Sequence, residues 1–189
     1  MHLLAKGIAI SDAEVKKILQ EHVDEIDDFL ERTKEDFSLI QVDVRTRSRY
    51  LRVPLDNLHV FDTMLQDRNF RASIIEYNEK IEFAIERFGV VINDSLKDIN
   101  KGSETMRHLL HFLGQLAHEQ ASQSTSSDAV YLAMVGNVNG WNATFSKLHK
   151  RGISLASALS QLGMTVTEMQ RRVGVASRND LVRSRWLIP

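Results

Sequence analysis

The chain has 189 residues, 43% of them hydrophobic and 26% charged, with a formal net charge of −1. That composition excludes a disordered or fibrous chain, and the near-zero charge gives no global pull towards nucleic acid. The absence of cysteine excludes a disulfide framework, thiolate-ligated zinc and a cysteine nucleophile.

Met1 to Ile10 is mildly apolar but carries His2 and Lys6, and it lacks the basic start and cleavage site of a secretory leader. No stretch approaches the roughly 20 apolar residues that span a bilayer. The expected setting is therefore cytoplasmic. The only prolines are Pro54 and Pro189, so nothing between them forces a helix to break.

Ser11 and Glu14 form a capping box, with Asp12 and Glu14 at the positive end of the helix that follows. Leu19, Val23, Ile26, Leu30, Thr33, Phe37, Ile40 and Val44 then step by four and three, the repeat of a coiled-coil seam or a long bundle helix. About 30 such residues would span roughly 45 Å. From Val42 to Val53 apolar and charged residues alternate in a strand-like way. The heptad continued through Arg47 and Leu51 competes with that reading, and a lone strand would have no partner. Helix is expected to about residue 51, with Pro54 ending it.

A short helix is expected over Leu55 to Gln66, then a polar corner at Asp67 to Asn69. A second long heptad reads Phe70, Ile74, Tyr77, Ile81, Ala84, Phe88 and Val91. Gly102 is the expected stop, and Ser103 caps a helix bearing Met106, Leu110, Leu113 and Ala117. Gln120 to Asp128 reads as a polar, serine-rich linker. Asp128 caps a helix bearing Tyr131, Val135, Val138, Trp141, Phe145 and Leu148, which Gly152 stops. Ser154 to Leu162 is a short helix ended by Gly163, and Thr165 with Glu168 caps another to about Val173. The apolar end Trp186 to Pro189 is a candidate docking tail.

The predicted fold is all-α: an elongated antiparallel helical bundle with two long heptad-patterned helices and shorter C-terminal helices. In domain terms, residues 1–120 form the long-helix region, 121–128 the linker, and 129–189 helices completing the same bundle with a basic tail.

Phosphate-loop, dinucleotide-binding, zinc-protease and serine-hydrolase motifs are all missing. Glu104, His108 and His111 share a helix face and could ligate a metal. A solvated face explains them better, because Leu110 and Leu113 must point to the core. No cofactor or metal is expected.

Arg45, Arg47, Arg49 and Arg52 could clamp an acidic partner, or pair with the acidic stretch Asp12 to Asp36, whose local charge is −6. Residues 145–189 carry +6, including Arg171, Arg172 and Arg178. Gly136 and Gly140, four apart, suggest close helix packing or, with Asn139, a turn.

The expected function is a non-enzymatic protein–protein interaction or scaffold module that self-associates, of the kind that forms the N-terminal domain of a larger intracellular protein. Its predicted partner-binding residues are Arg45, Arg47, Arg49, Arg52, Arg171, Arg172 and Arg178. The alternative is binding of an anionic membrane surface or nucleic acid through the same basic residues.

Overall fold

The computed structural model describes residues 12–120 and 126–186. Among these residues there are four helices and no strand: α1 (Asp12–Asp56), α2 (Leu58–Met64), α3 (Arg68–Gln120) and α4 (Ser126–Trp186). The chain is an all-α helical bundle. Ser11, residues 121–125 of the expected linker, and Leu187 to Pro189 lie outside the described residues.

The first heptad is built as its spacing dictates. Leu30, Phe37, Ile40, Val44 and Leu51 are buried along α1. The polar Thr33 is tolerated among them because its hydroxyl donates to the Phe29 carbonyl at 2.8 Å. The strand-like alternation of residues 42–53 is helical. It arises because an inner apolar row, Val44 and Leu51, interleaves with an outer one, Val42, Tyr50 and Val53. Pro54 lies inside the last turn. There it forfeits one hydrogen bond, while the Asn57 side chain donates to the Val53 carbonyl at 3.0 Å and caps the freed end.

The second long helix runs past its expected stop. Gly102 is interior to α3 and faces Phe145 of α4, whose ring atoms would lie 2.5 and 2.6 Å from a Cβ at that position. Glycine is there for close approach to the ring. The α3 seam also differs from the expected one. It steps through Arg71, Ile74, Asn78, Ile81, Ile85, Phe88, Ile92, Ser95, Ile99, Gly102, Met106, Leu109 and Leu113, all buried or half-buried. Tyr77 and Val91, expected inside, are exposed. The start of α3 is set by Asp67, whose carboxylate accepts from the backbone N–H groups of Asn69 at 2.6 Å and Phe70 at 3.2 Å, as an N-cap does.

In place of several short C-terminal helices there is one of 61 residues. Gly152 is buried on its seam, between Leu148 and Leu155. Neither Gly152 nor Gly163 stops the helix, because an unbroken row from Val138 to Ala176 supplies packing that outweighs about 1 kcal/mol of glycine propensity. Thr165 is no cap: its hydroxyl donates to the Gln161 carbonyl of the preceding turn at 2.9 Å.

The tertiary contacts divide into two units, each drawn from separate stretches of chain: residues 12–36 with Leu96–Lys150, and Phe37–Ser95 with residues 151–186. In the first unit Trp141 donates its indole N–H to Asp27 at 2.8 Å, and the Phe29 and Phe145 rings sit 6.2 Å apart. α1 and α4 therefore run in the same direction there. In the second unit Arg151 donates to Gln41 at 2.8 Å and Ser38 at 3.1 Å, and Gln170 donates to Glu82 at 2.8 Å. Arg71 pairs with Asp180, and Gly89 faces Leu159. There α3 descends as α4 climbs, so those two helices are antiparallel.

One residue of the second unit's core is out of place. Asn78 is fully buried, and neither its side-chain oxygen nor its nitrogen has a hydrogen-bond partner. Burying an amide unpaired costs about 1–3 kcal/mol. Asn78→Leu is therefore expected to raise stability by about 2 kcal/mol, read from urea unfolding followed by circular dichroism. A loss of stability would show that the amide is satisfied in solution.

Candidate interaction surface

The seven arginines singled out in the sequence meet different fates. Arg47 is half-buried and donates to Asp43 of its own helix at 2.8 Å, which explains its place on the seam. Arg172 bonds both carboxylate oxygens of Asp62 on α2 at 3.0 Å and Glu168 at 2.9 Å, so it ties α4 to α2. Arg171 donates twice to Glu168, at 2.7 and 2.8 Å. Hydrogen bonds from Arg171, joined by one from Arg172, hold the Glu168 carboxylate down at about 2. The same pairing raises Arg171. Both arginines are thus engaged within the chain. Arg178 is exposed with no ion pair among the described residues.

Arg45, Arg49 and Arg52 remain. All three are exposed on α1 and none has a hydrogen-bond or ion-pair partner among the described residues. The acidic stretch Asp12 to Asp36 forms local pairs such as Lys34 with Glu31 at 2.8 Å.

Beside these arginines runs an apolar row that sequence reasoning missed. Leu39 is 69% exposed, Val42 65%, Tyr50 63% and Val53 60%. The row follows from helical spacing: 39, 42, 46, 50 and 53 advance by three and four, as the seam does, on another face. Thr46 interrupts it, with its hydroxyl turned back to the Val42 carbonyl at 2.8 Å. A second set lies on α3 of the same unit, where Phe83, Val90 and Val91 are exposed and Arg87 stacks over the Phe83 ring at 5.7 Å. The signal was present in the sequence as two apolar rows per helix. A heptad pattern picks out only one of them.

The other candidates offer less. Glu104, His108 and His111 are all exposed, and no cluster of His, Cys, Asp or Glu among the described residues could hold a metal. Gly136 and Gly140 form neither a tight helix contact nor a turn. Both lie inside α4 with open space where a Cβ would stand. The first unit has a cleft of about 480 Å³ walled by Leu19, Val23, Ile26, Leu109, Phe112 and Trp141. Its hydrocarbon walls can bury an apolar group, and at its edge His22 is bonded to Glu25 at 3.1 Å.

No described helix is long and apolar enough to cross a membrane. No protein family matches the chain, and neither a curated protein nor a solved structure matches it.

Proposed function

We propose that the chain is a non-enzymatic helical interaction module of the cytoplasm, docking a protein partner through the outer face of α1 between Leu39 and Val53. The observation that carries this reading is the coincidence of four exposed large apolar side chains with three arginines, unpaired among the described residues, on the adjoining flank of the same helix. Large apolar side chains gathered on a surface mark interaction sites, and arginine with tyrosine is the pairing enriched where binding energy concentrates.

The test is Arg45→Glu/Arg49→Glu/Arg52→Glu, with a photo-crosslinking side chain at position 50. Because these arginines make no internal bond among the described residues, stability is expected to stay within about 0.5 kcal/mol of the parent. Protein adducts at position 50 are expected to fall more than tenfold. Unchanged adducts would sink the reading.

The unpaired guanidinium groups also suit an anionic membrane surface or nucleic acid. Sedimentation with anionic vesicles or duplex DNA, falling steeply with salt, would favour that occupant over a protein.

A further inference from the structure

We propose that the apolar cleft of the first unit is the seat of the chain's own opening segment, Met1 to Ile10.

The cleft is a gap in a helical bundle. Its walls come from all three helix stretches of the unit: Leu19, Val23 and Ile26 of α1, Leu109 and Phe112 of α3, and Trp141 of α4. This lining is short of cover. Leu19, Val23 and Ile26 are only half-buried, and Phe112 is 47% exposed. Further along the same α1 row, Phe37, Ile40, Val44 and Leu51 are buried. The volume of about 480 Å³ has room for several apolar side chains.

The chain carries such side chains beside the cleft. Eleven residues precede α1, among them Leu3, Leu4, Ile8 and Ile10. Ser11 and Glu14 read as a capping box, and the apolar residue before such a cap packs on the fourth residue of the helix. Here those two residues are Ile10 and Val15, and Val15 is half-buried. That contact sets the angle at which the chain enters α1 and turns the segment back along the helix.

The reach fits. Leu19 and Ile26 lie seven and fourteen residues into α1, about 10 and 21 Å from its start. Leu4 lies six residues before Ile10, so it falls about 9 Å back if the segment is wound as a helix and about 20 Å back if it is extended. Either way it arrives at the cleft.

Charge names the same occupant. Residues 1–10 carry Lys6 and no acid, while Asp12 to Asp36 carries −6. Glu25 stands on the cleft itself. An anionic lipid would be repelled there, whereas a basic apolar segment is attracted. The covalent tether adds an effective concentration on the order of millimolar, so the segment has the advantage over a free competitor.

The test uses the full chain, which has no cysteine. Leu4→Cys/Phe112→Cys is oxidised beside Leu4→Cys/Leu132→Cys, whose second position is 67% exposed on α4 and is not a cleft residue. The first pair is expected to close within the monomer at least tenfold faster. A second measurement leaves the helices untouched. Nile red, an uncharged apolar dye, is expected to brighten at least threefold on Leu3→Asp/Leu4→Asp/Ile8→Asp relative to the parent, because the cleft then stands open. Equal closure of the two cysteine pairs overturns the proposal. So does a first pair that closes only between chains, which would make the occupant a second copy. A parent that takes up as much dye as the variant also overturns it, and would leave the cleft to an outside ligand.

Discussion

Arg71→Met is expected to cost the second unit about 3 kcal/mol. Arg71 is almost fully buried, and three hydrogen bonds hold its guanidinium. One guanidinium nitrogen donates to the Leu65 carbonyl at 2.7 Å and to the Gln66 carbonyl at 3.0 Å. The other reaches Asp180 on α4. The two carbonyls belong to the turn that ends α2, where a helix leaves acceptors without partners. Methionine keeps most of the buried volume but removes all three hydrogen bonds. Asp180 is half-exposed and regains water, so most of the loss comes from the two carbonyls. Urea unfolding should show the drop, and Arg71→Lys should recover part of it by restoring one donor. A loss below about 1 kcal/mol would mean that water reaches the turn.

Gly114→Ala/Gly136→Ala/Gly140→Ala is expected to gain about 2–3 kcal/mol in the first unit. All three glycines are helical, and nothing lies within 4 Å of the place a Cβ would take. Each replacement then returns about 0.8–1 kcal/mol of helix propensity without a clash. Gly102→Ala, in the same unit, is the control of opposite sign. Its new methyl would overlap the Phe145 ring, and Phe145 is buried with little room to yield. Overpacking of this kind costs about 1–3 kcal/mol, more than the propensity returned. The two variants should move the midpoint of the same urea transition in opposite directions.

The all-α class and the α1 seam were legible because Leu19 to Val44 has one polar interruption, and Thr33 can satisfy itself on its own helix. The α3 seam was harder to read because the buried row includes Arg71, Asn78, Ser95 and Gly102. A search for apolar residues therefore slid onto Tyr77 and Val91, one step round the helix. Glycines misled in α4 for a related reason. A stop signal such as Gly152 is a local preference, and whether the next turn finds a partner is settled by residues a hundred positions away. The site was half legible. The arginines stood out, but their partners could not be assigned: Arg172 meets Asp62 across 110 positions, while Arg45 has no partner among the described residues.

The same long reach governs how the chain is made. Asp27 finds Trp141, Ser38 finds Arg151, and Asp62 finds Arg172. Each partner emerges from the ribosome more than a hundred residues after the group that waits for it. At about 5–20 residues per second, the apolar seam of α1 stands without its α4 cover for roughly 6–20 seconds in every round of translation. Of the described helices α1 is made before the α4 that covers it, so its seam is open to non-native contacts until that helix arrives.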